Sequence, residues 1–253
     1  MATTASTPAG AARPQVRPGV APLRAGQGRS FLLRRLHSLS GIVPVGAFLL
    51  EHFFSNAFAT NGPHAYADQV KFLTGIPFVV WVEALFIWLP IAFHGLYGFY
   101  IWFRGEANVA DYPWVGNWMY TAQRWTGGIA FAYIAFHIWE MRFSGVSLFA
   151  HPGAAFGKVQ SSLQNPWVLA FYVAGITASC WHLAYGIWLF AAKWGLVVGE
   201  KARRRLGVAC FGLGLLLIVV GFATLRVFFK EEWRNAPTGP PGSDQVEAGQ
   251  MYK

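Results

Sequence analysis

Five long apolar stretches restrict what this chain can fold into more than any other feature of the sequence. They lie at roughly residues 31–58, 78–103, 120–143, 166–192 and 206–229. A helix needs about 20 apolar residues to cross the roughly 30 Å of hydrocarbon in a bilayer, and each stretch is long enough. Residues that favour turns fall between the stretches. The sequence therefore predicts an all-α, integral membrane bundle of five transmembrane helices.

The composition and the ends of the chain agree with this prediction. Only 12% of the residues are charged, whereas soluble domains average about 25%. Residues 1–30 and 233–253 have no apolar stretch of this length and contain many Pro and Gly residues, so we expect two disordered tails around a membrane domain at 31–232. The basic N-terminal tail also lacks the apolar core of a secretory signal peptide.

The distribution of basic residues predicts the orientation in the membrane. Thirteen of the 20 Lys and Arg residues fall on the side that carries the N-terminal tail and the second and fourth connections. The side richer in Lys and Arg is normally cytoplasmic. We therefore expect the N-terminus to be cytoplasmic and the C-terminus to lie outside.

Several kinds of site are excluded by the sequence. The two cysteines, Cys180 and Cys210, both lie in apolar stretches, which excludes a disulfide framework and a cysteine-ligated iron–sulfur cluster. Neither a P-loop nor a dinucleotide-binding glycine motif is present. The net charge of +9 is explained by basic residues beside apolar spans, so no nucleic-acid partner is expected.

Four histidines lie within the first four apolar stretches, one in each: His52, His94, His137 and His182. An imidazole in the hydrocarbon region is costly and usually functional. A single one is more simply explained as a core residue bonded to a neighbouring helix. Four in consecutive helices favour a shared function.

The depths of these histidines predict two layers. His52 and His137 lie toward the outer ends of their helices, and His94 and His182 lie toward the cytoplasm, about 15 Å away at 1.5 Å per residue. Two imidazoles at one depth can ligate a haem iron from both faces, which suits electron transfer. A zinc site would need four ligands at one depth. We therefore predict two haems b, each held by two histidines.

Two further groups of residues near the histidines leave alternatives open. Glycines such as Gly95, Gly98 and Gly127 would make room for a haem, or would serve ordinary close packing of membrane helices. Arg35, His37 and Arg124 are predicted at the inner membrane edge. They would anchor the chain to lipid headgroups, or contact the propionates of the inner haem.

The sequence resembles the single-chain dihaem cytochrome b subunits of succinate dehydrogenases and fumarate reductases over about residues 31–200. The resemblance is carried by Arg34-Arg35-Leu36-His37-Ser38, Pro44-Val45-Gly46, Leu89-Pro90 with His94, Asn117-Trp118-Met119 with Gln123-Arg124, His137-Ile138-Trp139-Glu140, and Phe171-Tyr172 through His182 to Trp194-Gly195. It implies that His94 and His182 hold the inner haem iron and that His52 and His137 hold the outer one.

The resemblance also implies the partners and the reaction. Members of this family anchor a flavoprotein subunit and an iron–sulfur subunit on the cytoplasmic side of the bacterial cytoplasmic membrane. They pass electrons between those subunits and a membrane quinone, here menaquinone rather than ubiquinone. Some fumarate-reducing members carry a glutamate where this chain has Cys180, and its absence favours succinate oxidation. The reverse direction, fumarate reduction, stays open as an alternative.

Quinone chemistry is expected near the outer haem, since two stacked haems are of little use if electrons leave where they enter. Glu51, Glu83 and Glu140 flank the outer layer and are candidates for proton delivery, or are simply interfacial glutamates. Two rival functions remain. A quinol-oxidising dihaem cytochrome would place two histidines on each of two helices, and a haem-free transporter would show broken helices at midplane.

Overall fold

A computed structural model describes residues 25–105, 109–234 and 236. All regular secondary structure in these residues is helical, which confirms the predicted all-α class. The described residues up to Arg34 belong to one unit and those from Arg35 onward to a second. All four predicted histidines lie in the second unit.

Nine α-helices follow one another along the described chain. They are α1 (Ala25–Ile42), α2 (Pro44–Ala57), α3 (Pro63–Thr74), α4 (Val79–Glu83), α5 (Leu89–Phe103), α6 (Val115–Ile138), α7 (Ala155–Leu163), α8 (Pro166–Lys193) and α9 (Glu200–Val227). Among the described residues, four helical segments are long and apolar enough to cross a membrane: Ser30–Asn61, Val79–Phe103, Pro166–Lys193 and Glu200–Val227. Helix α6 has 24 residues, but polar residues such as Asn117, Gln123 and Arg124 reduce its hydropathy.

Prolines determine where several of these helices begin or change pitch. Pro44, Pro63 and Pro166 lie in the first turn of α2, α3 and α8, where a missing backbone N–H costs nothing. Pro90 lies inside the continuous segment Val79–Phe103 and is preceded by a π-helical turn at Ala84–Trp88. A proline inside a helix removes one backbone hydrogen bond, and a π-turn accommodates the loss.

Helical structure extends beyond both predicted ends of the membrane domain. Helix α1 begins at Ala25 rather than at residue 31. At the other end, the ring of Trp233, the first residue of the predicted C-terminal tail, packs edge-on against Phe156 with centroids 5.6 Å apart. Gln160 also donates a hydrogen bond to the Trp233 carbonyl at 3.2 Å. The remainder of both predicted tails lies outside the described residues, apart from Arg234 and Ala236.

The largest cluster of buried side chains lies where α3 and α7 contact the ends of the long helices. Its members are Ala59, Tyr66, Tyr133, Ala155, Phe156, Val159, Leu163, Tyr172, Leu225, Val227 and Phe228. A smaller cluster joins Cys180, Leu183 and Leu217 between α8 and α9. Both cysteines are buried and free. Apolar side chains on the outer surfaces of the long helices are exposed, which suits contact with lipid.

Candidate functional site

The four histidines of the long helices lie in two close pairs. His52 on α2 and His137 on α6 have ring centroids 5.6 Å apart, with ring planes at 76°. His94 on α5 and His182 on α8 have centroids 6.0 Å apart, with planes at 85°. We call these the outer pair and the inner pair, after the predicted orientation. The members of each pair are those that the predicted depths place together.

Both spacings suit a metal ion held between two imidazoles. Histidine nitrogens lie about 2 Å from a bound transition metal, so one metal between two rings places their centroids about 6 Å apart. Within residues 25–105, 109–234 and 236, no group of three or more His, Cys, Asp or Glu side chains could hold a metal ion. Each pair can therefore supply two ligands, which is the number that a haem iron takes from the protein at its axial positions.

The inner pair is oriented by the main chain. His94 Nδ1 lies 2.8 Å from the carbonyl oxygen of His37, and His182 Nδ1 lies 3.0 Å from that of Gln123. A carbonyl oxygen only accepts, so each Nδ1 must carry the hydrogen and donate it. This tautomer leaves the Nε2 lone pair of each ring available as a ligand.

His137 of the outer pair is oriented by a side chain. Its Nδ1 lies 3.1 Å from the hydroxyl oxygen of Tyr172. The Tyr172 hydroxyl donates its single hydrogen to Glu140 Oε2 at 2.8 Å. The hydroxyl oxygen must therefore accept from His137, which again places the hydrogen on Nδ1 and leaves Nε2 free.

Helix α8 contributes to both sites, and its geometry gives their separation. Tyr172 contacts the outer pair and His182 belongs to the inner pair, ten residues further along the same helix. At 1.5 Å per residue this is about 15 Å along the helix axis.

Two glycines leave space for the inner imidazoles, whereas two others serve ordinary helix packing. A Cβ at Gly127 would lie 2.8 Å from His182 Cε1, and one at Gly41 would overlap the ring of His94. By contrast, a Cβ at Gly95 or Gly128 would meet the aromatic rings of neighbouring helices. Gly41 and Gly127 therefore allow the close approach of two imidazoles, and Gly95 and Gly128 serve the close packing of helices, which is the second of the two alternatives.

The predicted residues of the inner edge have different surroundings. His37 stacks on His94, with ring centroids 4.1 Å apart and planes at 7°. The Arg35 guanidinium lies over the Trp194 ring, 4.8 Å from its centroid. Arg124 donates a hydrogen bond to the Tyr120 hydroxyl.

Arg124 also has donor atoms at the inner edge that are left unpaired by the described residues. Its Nε and Nη1 atoms are shielded from solvent and have no hydrogen-bond partner among the described residues. Leaving charged donors unpaired in this way is costly. An anionic group such as a carboxylate matches the planar guanidinium and would satisfy these donors.

The three predicted carboxylates are each bound to a different partner. Glu51 is exposed and accepts a hydrogen bond from Ser55. Glu83 forms an ion pair with Arg142 at 3.0 Å. Glu140 accepts from Tyr172, as described above, and also from Ser162. They do not form one cluster, and only Glu140 is linked by hydrogen bonds to a histidine of the outer pair.

Sequence reasoning missed a buried lysine near Glu140. Lys158 on α7 has only 9% of its surface exposed. Its ammonium group donates to the main-chain carbonyls of Met141, Ser144 and Val146 at 3.1, 2.6 and 2.9 Å. A cation at this position satisfies carbonyls that the end of a helix leaves unpaired. The only local signal was a lysine flanked by Phe156 and Val159 in a short apolar segment.

Comparison with known proteins identifies the family to which these features correspond. Residues 109–221 match the family described as succinate dehydrogenase/fumarate reductase transmembrane subunit. The succinate dehydrogenase cytochrome b558 subunit of Bacillus subtilis (strain 168) is 33% identical over 203 residues, which cover 79% of this chain and 96% of the relative. The succinate dehydrogenase hydrophobic membrane anchor subunit of Thermoplasma acidophilum is 29% identical over 100 residues, covering 40% of this chain and 76% of that protein.

Proposed function

Because this chain belongs to the succinate dehydrogenase/fumarate reductase transmembrane subunit family, we propose that it is the dihaem membrane anchor of a succinate:quinone oxidoreductase. The chain is a multi-pass protein of the bacterial cytoplasmic membrane. In the proposed arrangement it crosses the membrane five times, with α6 as the third span. The N-terminus is cytoplasmic and the C-terminus is outside, as the Lys and Arg distribution favours.

The observation that carries this proposal is the pairing of four histidines, three of which have hydrogen bonds at Nδ1 that leave Nε2 free. The ring-centroid spacings of 5.6 and 6.0 Å fit two axial ligands on one iron. The hydrogen bonds at Nδ1 of His94, His137 and His182 hold three of the four rings in the tautomer that ligation needs. His94 and His182 would hold the inner haem, and His52 and His137 the outer haem. Bound haem would supply one-electron transfer.

The residues of the inner edge are suited to bind the propionates of the inner haem. The unpaired Nε and Nη1 atoms of Arg124 would bind a propionate of the inner haem. Arg35 and His37 are proposed to contribute to the same edge, with His37 also holding His94 through its carbonyl oxygen. The small residues Gly41 and Gly127 keep the rings of His94 and His182 free of steric overlap.

Electrons would enter from a flavoprotein subunit and an iron–sulfur subunit bound at the cytoplasmic side, and leave to a membrane quinone near the outer pair. We favour menaquinone over ubiquinone. Succinate oxidation by menaquinone is uphill, and electrons that move outward would recover up to about 2.3 kcal/mol per charge per 100 mV of membrane potential. Glu51, Glu83 and Glu140 are the proposed sources of protons for the quinone. Of these, Glu51 is exposed and accepts from Ser55 only, which makes it the first to test.

The experiment that tests the proposal uses the chain purified with whatever subunits accompany it. Pyridine haemochrome analysis against protein mass should give two haems b per chain, and a ratio near zero or one would contradict the two-pair assignment. The co-purified subunits should contain flavin and iron–sulfur clusters. Succinate-dependent quinone reduction in sealed cells should be inhibited by an uncoupler, and an equal or faster rate would count against quinone reduction near the outer pair.

Fumarate reduction by the same complex remains the second candidate function. The family includes both enzymes by its own description. Both relatives reported above are named as succinate dehydrogenase subunits, and this supports the oxidative direction. Comparing the rates of succinate oxidation and quinol-dependent fumarate reduction in the purified complex would distinguish the two.

A further inference from the structure

A series of hydrogen bonds connects His137 of the outer pair, through the Tyr172 hydroxyl, to the carboxylate of Glu140. His137 Nδ1 donates to the Tyr172 hydroxyl at 3.1 Å, and that hydroxyl donates to Glu140 Oε2 at 2.8 Å. Tyr172 and Glu140 come from different helical segments, α8 and the π-turn Trp139–Phe143 that follows α6. The connection therefore depends on the packing of α6 against α8 and is not a local feature of either sequence.

The middle of this hydrogen-bonded series, at Tyr172, is closed to solvent. Tyr172 is 4% exposed and Tyr133 is 9% exposed. The Tyr133 ring stacks beside His137 with centroids 5.8 Å apart and meets the Tyr172 ring edge-on at 5.2 Å. A Cβ at Gly175 would overlap the Tyr133 ring, so this glycine allows the close approach. Water is thus kept away from the hydrogen bond to His137, and this strengthens the bond's electrostatic effect.

Glu140, at the far end of the hydrogen-bonded series, lies in surroundings that suit a negative charge. Both oxygens of Glu140 accept hydrogen bonds, from Tyr172 and from Ser162, and an ionised carboxylate is an acceptor only. Lys158 lies close enough that the Glu140 charge opposes the lowering of the Lys158 pKa by burial. The hydrogens of Lys158 point instead to three main-chain carbonyls. The carboxylate is therefore supported by a nearby cation without a direct ion pair.

The inner pair has no equivalent connection, because its two Nδ1 atoms donate to neutral main-chain carbonyls. A hydrogen bond that leads to a carboxylate makes an imidazole a stronger electron donor to its metal than one to a neutral acceptor. More electron donation favours the ferric over the ferrous state and so lowers the reduction potential. We propose that Tyr172 and Glu140 are positioning residues that hold His137 as a ligand and lower the midpoint potential of the outer haem. This inference rests on the proposed function.

The test is a redox-titrated optical spectrum of the purified complex carrying Tyr172→Phe or Glu140→Gln. The first variant keeps the ring and removes the hydroxyl, and the second keeps the shape and removes the charge. Each should raise the midpoint of the outer haem and leave that of the inner haem unchanged. The outer step is identified as the one that disappears in His52→Ala. Electron paramagnetic resonance of the ferric complex should show the outer signal altered and the inner signal intact.

Tyr185→Phe is the matched control, since Tyr185 lies on the same helix, stacks on Trp188 and leaves the outer pair untouched. It should shift neither midpoint. The inference is overturned if both test variants keep two haems with unshifted or lowered outer midpoints, or if only the inner midpoint moves. Loss of the outer haem from both variants would overturn the proposed lowering of its midpoint, because the two residues would then act in retaining the haem. Wild-type protein without haem would instead contradict the proposed function.

Discussion

The two histidine pairs lie in the same bundle but are held in place by different means. Both histidines of the inner pair donate hydrogen bonds to main-chain carbonyls, one on α1 and one on α6. A main-chain carbonyl is present whichever side chain its residue carries. In the outer pair, His137 is held by the side chains of Tyr172 and Glu140, and Tyr172 belongs to the buried cluster that α3 and α7 complete. The inner site is therefore fixed by backbone geometry, whereas single side-chain substitutions can alter the outer site.

The largest expected effect comes from removing one histidine of each pair. In the proposed function, His182→Ala should lose the inner haem and His137→Ala the outer one, so each variant falls from two haems to one. The midpoint that remains should differ between the two variants. Pyridine haemochrome and redox titration would measure both quantities, with His64→Ala on the exposed side of α3 as the control. Loss of the same haem from both variants would contradict the pairing.

A smaller change tests whether the inner pair depends on close backbone approach. In Gly127→Ala the new Cβ would lie 2.8 Å from His182 Cε1, closer than real contacts allow. The ring is tied by its Nδ1 hydrogen bond to Gln123 and cannot easily move aside. We expect reduced inner haem content with the outer haem retained. Gly212→Ala on α9 is the control, because nothing lies within 4 Å of its added Cβ.

The third prediction is that stability at the outer end of the bundle depends on the buried charge of Lys158. Lys158→Met fills similar space but leaves the carbonyls of Met141, Ser144 and Val146 without their donor. A hydrogen bond to a charged group contributes about 1.5–3 kcal/mol, so we expect a loss of roughly 2–4 kcal/mol in stability. Thermal unfolding of the detergent-solubilised protein should show a midpoint several degrees lower. Lys71→Met, at an exposed position on α3, should change it little.

Hydropathy and histidine spacing predict most of what is common to both pairs. The apolar stretches give the long helices, because a span must be apolar along its whole length. One histidine per span, counted along helices of fixed rise, places His52 with His137 and His94 with His182. The same reasoning does not give the rotation of each helix, so it could not show that Tyr172 faces His137.

The features that distinguish the outer end could not be predicted from the sequence, because they depend on short helices and on contacts between residues far apart in the chain. Helices α3 and α7 have 12 and 9 residues, too short to stand out from the loops that contain them. From the sequence, Lys158 is only a basic residue of an outer connection, because its burial depends on carbonyls 12 to 17 residues earlier. The sequence shows the charge of Glu140 but not its hydrogen bond to Tyr172, which spans 32 residues.

The ring orientations give a spectroscopic comparison of the two pairs. Nearly perpendicular axial imidazoles leave two iron d-orbitals close in energy, and this gives ferric haem a highly anisotropic low-spin signal. The ring planes meet at 85° in the inner pair and 76° in the outer pair. If each pair holds a haem as proposed, low-temperature electron paramagnetic resonance should show two such signals, and the signal of the inner haem should be the more anisotropic. A rhombic signal from either haem would indicate near-parallel rings and contradict the geometry.

The smallest expected effect concerns Tyr66, which is buried in the cluster at the outer end. Its hydroxyl donates to Asn56 Oδ1 at 2.9 Å, and burial raises its pKa to about 12. Tyr66→Phe should cost about 1 kcal/mol near neutral pH through the lost hydrogen bond. Because the folded pKa lies above the ordinary value of 10.0, the wild type should lose stability as the pH rises from about 10 toward 12.

The pH dependence separates this effect from simple loss of packing. Over that range the unfolded chain releases the Tyr66 proton while the folded chain keeps it, and a difference of one pKa unit corresponds to about 1.4 kcal/mol. The Tyr66→Phe variant has no such proton, so its unfolding midpoint should fall less steeply above pH 10, meet that of the wild type and then exceed it. Tyr112→Phe, at an exposed position, should follow the wild-type curve throughout. Parallel curves for wild type and Tyr66→Phe would mean that the Tyr66 hydroxyl is open to water, and that α3 does not seal the outer end of the bundle.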